Sequence, residues 1–339
     1  MNQGIPEDMI AIVIAVPGGP DVLQPTTLPV PKHREDEVLI RVAAAGVNAP
    51  DLAQRRGVYD PPPGHSPVPG LEVSGEIVAV GQEVDTYKPG DRVVALTNGS
   101  GYAEFVAVPA GQVLPLPSSW SFAEGAALPE TFFTVEQTLV MRAGLTAGMV
   151  VLIHGGAGGI GGAAIQAAKL RDARPIAVVS SPEKAAYASS LGAVATINHR
   201  EEDFVGRVKE LTDGHGADRI IDMMAGETVD RNIAAAARGG HIVVLASLAG
   251  AKAQVNMGSF LAKQLTMSGS TLRPQPPEAK AAIARHLFAS TWPALTNGTL
   301  VRPRTTTFPL RHAADAHKGL ENRSSLGKFV LVTAFGASL

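Results

Sequence analysis

The sequence predicts an α/β protein: a β-barrel-like domain, then a doubly wound parallel sheet, then a return to the first domain. Three observations predict it. Residues 1–130 carry short apolar runs parted by Gly, Pro, Asn and Asp turns, at the spacing of an all-β barrel or sandwich. From Thr131 to Arg273 strand-like and helix-like stretches alternate, as in a parallel sheet with helices on both faces. Within that second region the run MVVLIHGGAGGIGGAAIQAAK, Met149 to Lys169, reads as strand, glycine loop and helix.

In chain order, Ile10 to Val16, Glu37 to Ala44, Leu71 to Val80, Asp91 to Leu96 and Tyr102 to Val108 are the strands of the first domain. Pro61 to Pro63 and His65 to Pro69 mark a loop that cannot pair inside a sheet. The second domain then offers Met149 to His154 as a buried strand and Ile160 to Arg171 as an Ala-rich helix. After it come the strand Ile176 to Val179, Val194 to Ile197, the helix Glu201 to Thr212, Arg219 to Met223, the helix Thr228 to Ala237, and His241 to Ala246, with Leu265 to Leu272 as a last strand. From Pro274 a Pro-rich break, the helix Glu278 to Phe288 and the strand Lys328 to Val332 lead back to the first domain. The expected division is 1–130, 131–273 and 274–339.

At 339 residues the chain is long enough for about two cores. Its 45% hydrophobic and 18% charged residues describe an ordered protein, and a net charge of −2 gives no general attraction to nucleic acid or anionic membrane. Any anion site must be local. No apolar stretch reaches the roughly 18 residues that span a bilayer, and Met9 to Val16 is too short and lacks a basic flank for a signal peptide. A cytoplasmic protein with no membrane partner is expected. There is no cysteine, and the nine histidines form no HxxxH or HxH pair, so no metal is expected.

The glycine loop carries the first chemistry. Gly156, Gly158 and Gly161 stand at G-x-G-x-x-G spacing between a strand and a helix, the arrangement that holds a dinucleotide pyrophosphate on backbone amides. The first glycine is expected to permit the tight turn, the second to admit the pyrophosphate, and the third to let helix and strand pack closely. Gly159 and Ile160 complete the loop, and the positive end of the helix faces the phosphates. The next strand should end in an acid if the ribose carries a free 2′-hydroxyl. It ends instead in Ser180 and Ser181, followed by Pro182, Glu183 and Lys184. Two hydroxyls and a lysine suit a 2′-phosphate, so NADP(H) is the expected cofactor. The same string also reads as an N-cap and first helical turn. Both can hold together.

With these pieces in order, the chain resembles the quinone oxidoreductase branch of the medium-chain dehydrogenase/reductase superfamily. AAGVNAPDLAQRRGVYDPPPG (44–64), PGLEVSGEIVAVG (69–81), KPGDRV (88–93) and LPETFFTVEQTL (128–139) look like family segments in the family's order, and HGGAGGIG like its nucleotide loop. It is most similar to the tumour-suppressor-inducible subgroup, through GVYDPPPG and the INHREEDF segment. The resemblance implies a GroES-like catalytic domain, a Rossmann cofactor domain and a cleft where they meet. Where zinc alcohol dehydrogenases place a cysteine and a histidine ligand, this chain has Asn48 and Leu71. Hydride transfer without a Lewis acid suits quinones and activated enones better than ordinary alcohols.

The resemblance also assigns residues. Asn48 and Asp51 match a pair lining the nicotinamide, with Asn48 donating its amide to a substrate carbonyl or holding the ribose; alone, Asn-Ala-Pro-Asp reads as a capped turn. Tyr59 matches a tyrosine of the substrate cleft, and reads equally as a half-buried loop aromatic. Ala53 replaces a second tyrosine of some relatives, which widens the pocket. Thr134 matches a threonine packed on the nicotinamide. His199 and Arg323 join Ser180, Ser181 and Lys184 around the 2′-phosphate, while Ala246, Ser247, Thr271, Leu272 and Arg273 match loops bordering nicotinamide and ribose. The expected reaction is NADPH-dependent, metal-free reduction of a quinone or activated α,β-unsaturated carbonyl. An enoyl-thioester reductase and a non-catalytic, crystallin-like NADPH binder are the alternatives. The resemblance implies a homodimer through the edge strand near Leu265 to Leu272.

Overall fold

The computed structural model describes residues 4–322 and 326–339. The chain forms two units: Met1–Phe133 with Arg273–Thr296 and Arg302–Leu339, and Thr134–Leu272 with Asn297–Val301. Among the described residues no helix is long and apolar enough to cross a membrane.

The first unit is the GroES-like one. Its main sheet runs Thr305–Pro309, Lys328–Val332, Glu37–Gly46, Glu72–Val80, Arg92–Leu96, Val113–Pro115, and Phe105–Pro109 also pairs with Glu37–Gly46. Pairing is antiparallel except between Thr305–Pro309 and Lys328–Val332. Glu37–Gly46 is covered on both faces, with only Arg41 exposed. Val38, Ile40 and Val42 pack with Val73, Ile77, Val93 and Tyr102, while Leu39 between them joins Met9, Ala11, Val68 and Phe105. That alternation is the two-residue period of a strand.

Two strands of this unit lie outside the apolar runs. Leu23–Pro29 pairs with Asp8–Ile14 as a separate two-stranded ribbon, and its prolines are tolerated because its other edge is unpaired. Thr305–Pro309 sits at the end of the main sheet, followed by the helix Ala313–Glu321.

Register explains why polar residues gather at one end of this sheet. Ala45 pairs with Val73 and Gly46 with Val330, so the chain just beyond Gly46 lies beside the starts of Glu72–Val80 and Lys328–Val332. Asn48, Glu72 and Lys328 therefore converge. Glu72 pairs in turn with Leu96, which brings Thr97 and Asn98 to the same end.

The second unit is a six-stranded, all-parallel Rossmann sheet in the order Ala195–Asn198, Arg174–Val179, Val150–His154, Ala217–Asp222, Ala236–Val244, Thr266–Gly269. Every residue of Val150–His154 is buried, as a central parallel strand requires. The chain winds outward one way from this strand and then the other, which puts a topological switch point at its carboxyl end. The third helix starts at Phe204 rather than Glu201, because Asp203 caps it by accepting from the Val205 and Gly206 amides at 3.4 and 2.9 Å. The fourth ends at Ala235, where Ala236 already turns extended.

Candidate cofactor loop and active site

The glycine loop follows the central strand of the parallel unit. Gly155, not Gly156, takes the left-handed conformation of the turn, with φ +64°. Gly156 is required for a different reason: a Cβ there would stand 2.6 Å from the Cβ of Ala177 on the next strand. A Cβ on Gly161 would stand 2.3 Å from the Gly155 carbonyl oxygen and 2.6 Å from the Gly156 Cα, so helix and turn pack as the spacing predicts. At Gly158 the nearest atom would be 3.4 Å away. Among the described residues a Cβ there would make only ordinary contact. Gly158 is the N-cap of Gly159–Leu170, and the Gly159, Ile160 and Gly161 amides lie in its open first turn.

The residues expected around the ribose and its 2′ position follow neighbouring strands of the same sheet. Since all its strands are parallel, Ser180 and Ser181, His199, Ala246 and Ser247, and Thr271 and Leu272 all lie beyond carboxyl ends, as the loop does. Ser181 caps the helix Pro182–Leu191, accepting from the Lys184 amide at 3.3 Å, while Lys184 Nζ donates to Ser180 Oγ at 3.2 Å. The cap and the cation are thus one device. The His199 amide donates to the Val179 carbonyl at 3.1 Å, which ties its backbone to the end of the neighbouring strand. Burial, with help from Arg200, holds the His199 imidazole below its ordinary pKa. Arg200 was not anticipated; only its place after His199 signals it. Arg323 lies outside the described residues.

Behind the loop, His154 Nε2 donates to Asn232 Oδ1 at 2.8 Å, and Asn232 Nδ2 donates to Asp222 Oδ2 at 3.0 Å. Asp222 Oδ1 accepts from the Met224 and Ala225 amides at 2.7 and 3.1 Å. This buried chain ties the end of the central strand to that of its neighbour. Thr134 is half-buried in the helix Pro129–Val135, its carbonyl accepting from Thr138 Oγ1 at 2.6 Å.

The polar end of the antiparallel sheet holds Asn48 and Asp51. The Asn48 amide donates to Asp51 Oδ2 at 2.8 Å across the first turn of Ala49–Arg55, and the Gly70 amide donates to Asp51 Oδ1 at 3.1 Å. Asp51 is fully buried, and burial pushes its carboxyl up to about 6 against those amides. Tyr102 Oη lies 3.2 Å from Asp51 Oδ2 and 3.0 Å from His317 Nε2, and Arg55 Nη1 lies 3.3 Å from His317 Nδ1. The guanidinium can only donate, so His317 Nδ1 accepts, His317 Nε2–H donates to Tyr102, and the Tyr102 hydroxyl donates to Asp51. Burial, then Arg55, hold the His317 imidazole down to about 3, in keeping with that neutral tautomer.

The Asn48 side chain is largely committed. Its Nδ2 donates to Glu72 Oε1 at 2.8 Å, and its Oδ1 accepts from Lys328 Nζ, which also lies 2.5 Å from Glu72 Oε1. One amide hydrogen of Asn48 remains for a ligand. Glu72 Oε2 accepts from the Glu130 amide at 2.9 Å. Sequence reasoning does not single out Glu72, Glu130 or Lys328, although Glu72 and Glu130 lie in segments that carry the resemblance and Lys328 opens the expected strand 328–332.

Tyr59 is half-buried, with the Arg273 Cζ 5.8 Å from its ring centroid, and burial keeps its phenol protonated. Arg273, expected beside nicotinamide or ribose, has its guanidinium bonded to groups of the first unit. Nη1 donates to Gln54 Oε1 at 2.8 Å, and Nε and Nη2 donate to the Asn98 carbonyl at 3.2 and 2.9 Å, all within the first unit. Lys280 Nζ donates to the Arg273 carbonyl at 2.7 Å and to Asn98 Oδ1. Together they fix the loop beside Tyr59.

Residues 159–287 match the family description "Zinc-binding dehydrogenase", and 34–118 match "Alcohol dehydrogenase GroES-like domain". The quinone oxidoreductase of Lama guanicoe is 33% identical over 96% of this chain and 97% of its own. The structure of the Escherichia coli quinone oxidoreductase complexed with NADPH is similar with a TM-score of 0.82 at 30% identity, covering 96% of this chain and 99% of that one. The CurK enoyl reductase gives a TM-score of 0.84 at 26% identity, over 97% and 100%. The first description implies zinc, which these residues do not fit. The chain has no cysteine, no three His, Cys, Asp or Glu side chains gather among the described residues as a metal would need, and Glu72 is bound to the Lys328 ammonium. The chain is an oxidoreductase and belongs to the medium-chain dehydrogenase/reductase superfamily, with quinone oxidoreductases among its relatives.

Proposed function

We propose that this enzyme is an NADPH-dependent, metal-independent reductase of quinones or activated α,β-unsaturated carbonyls. The observation that carries the reading is the Ser180–Lys184 pair, 3.2 Å between hydroxyl and ammonium, beyond the strand where an NAD enzyme keeps an acid. Two hydroxyls, a lysine and the neighbouring Arg200 offer donors to a phosphate. The side-chain-free backbone at Gly158 and the first-turn amides of Gly159, Ile160 and Gly161 suit the pyrophosphate. Leu272 and Thr134 supply apolar surface for the nicotinamide, and Ala246, Ser247 and Thr271 offer backbone and hydroxyl groups to its ribose. NADPH, when bound, supplies the hydride.

Acceptor recognition falls to the first unit. The free amide hydrogen of Asn48 and the Tyr59 hydroxyl are donors for an oxygen that becomes negative, and Asp51 fixes the Asn48 backbone. Absorbance at the reduced-nicotinamide band, followed with an ortho-quinone, a para-quinone, a simple enone and an enoyl thioester, tests the reading. Turnover of quinone or enone is expected. The likeness to the enoyl reductase favours a second reading, which thioester-only turnover would select; tight NADPH binding without turnover would mark a non-catalytic binder.

A homodimer through Thr266–Gly269 belongs to the same proposal. This strand ends the parallel sheet, and Met267, Met257 and Leu261 are exposed on or beside it. Light scattering after size exclusion would give twice the chain mass; a monomer would remove the proposal.

A further inference from the structure

Glu130 lies in the first turn of Pro129–Val135, and only 9% of it is exposed. Its amide donates to Glu72 Oε2, which sets it against the Asn48–Glu72–Lys328 group. Yet among the described residues its carboxyl makes no hydrogen bond and no ion pair. Each cation that faces it points at something else. Lys328 serves Glu72 and Asn48, Lys280 serves Asn98 and the Arg273 carbonyl, and Arg273 serves Gln54 and the Asn98 carbonyl. The other groups facing it are Asp51 and Glu72, which repel a second carboxylate, and Tyr59. A buried carboxyl with neither donor nor counter-ion is kept in its neutral, proton-bearing form. This is the state a general acid needs.

We propose that Glu130 is the proton donor of the reductase, passing its carboxyl proton to the acceptor oxygen that becomes negative as the acceptor takes up hydride. The proposal rests on the reductase reading above. Atoms and electrons balance: the acceptor gains hydride, with its electron pair, from the reduced nicotinamide and a proton from Glu130. The Glu130 carboxylate then recovers a proton from water. Burial and the neighbouring Glu72 push this carboxyl up to about 8, so it is protonated at neutral pH and releases its proton only to a basic oxygen. An enolate oxygen needs such a donor more than a hydroquinone anion, which solvent can protonate.

Two readouts on the full-length chain test it. Infrared difference titration of the wild type is expected to show a protonated-carboxyl stretch at pH 7 that fades near pH 8 and is absent from Glu130→Gln. With NADPH and a simple enone, Glu130→Gln is expected to lower kcat about a hundredfold and to lose the alkaline fall of the rate, with NADPH affinity unchanged. Glu130→Asp, which keeps an acid, is expected to recover part of the rate. An ionised Glu130 at pH 7, or a Glu130→Gln enzyme with wild-type kcat and pH profile, would overturn the proposal alone. A wild type that shows the infrared band but oxidises NADPH with no acceptor would overturn the reductase reading, and proton donation with it.

Discussion

Lys328 Nζ stands 2.5 Å from Glu72 Oε1, and both side chains are buried. This ion pair holds the Asn48 amide and closes the polar end of the antiparallel sheet. Removing one partner leaves the other charge buried and alone, so Lys328→Met is expected to cost about 3–5 kcal/mol in urea unfolding. Adding Glu72→Gln removes the orphaned charge, and the double variant is expected to regain most of that loss. Additive losses would contradict the pairing.

Gly158 and Gly161 are expected to part company when each is changed to alanine. At Gly161 the new methyl would meet the Gly155 carbonyl at 2.3 Å, so the variant loses thermal stability as well as NADPH binding. At Gly158 the nearest protein atom is 3.4 Å away, so Gly158→Ala keeps its melting temperature yet binds NADPH weakly. Thermal melts with fluorescence titration check both, and unchanged NADPH affinity in Gly158→Ala would remove the pyrophosphate from this position.

Lys184→Ala is expected to weaken NADPH about tenfold to a hundredfold while leaving NADH nearly unchanged, the value of one charge-assisted hydrogen bond. Parallel titrations with the two cofactors decide it. Equal weakening would take Lys184 away from the 2′-phosphate.

The neutral His317 makes stability depend on acid. Its imidazole is held down to about 3 when folded, against about 6.5 when unfolded, so the unfolded chain binds the extra proton and stability falls as pH drops from 6.5 towards 3. Asp51, pushed up to about 6, acts oppositely, because the folded state then binds the proton first. Comparing the wild type with His317→Gln isolates the histidine: the difference in unfolding free energy should change across that window. A parallel pair of curves would contradict the assignment.

The parallel unit was legible because its signals are local. Gly156, Gly158 and Gly161 sit within one turn of chain, Ser181 caps its helix from the adjacent residue, and the strand Val150–His154 is a compact apolar run with β-branched residues. The spacing places the turn at Gly156 although Gly155 carries it, since spacing alone does not tell which of two adjacent glycines has the positive φ. Leu23–Pro29 is hidden in the sequence because its prolines read as loop, and only an unpaired edge makes them acceptable. The polar cluster at the end of the antiparallel sheet is largely illegible in the sequence. Lys328 and Glu72 are 256 residues apart, and His317 and Tyr102 215 apart, so only register brings them together. The carboxyl of Glu130 is defined by what fails to bond it, and sequence carries no such signal.

The most direct test of the reductase reading is NADPH oxidation by the purified chain with a quinone or a simple enone, in buffer containing a metal chelator. The account predicts turnover that prefers NADPH to NADH and is unaffected by the chelator. Loss of activity on chelation, or oxidation of NADPH by neither acceptor class, would contradict it.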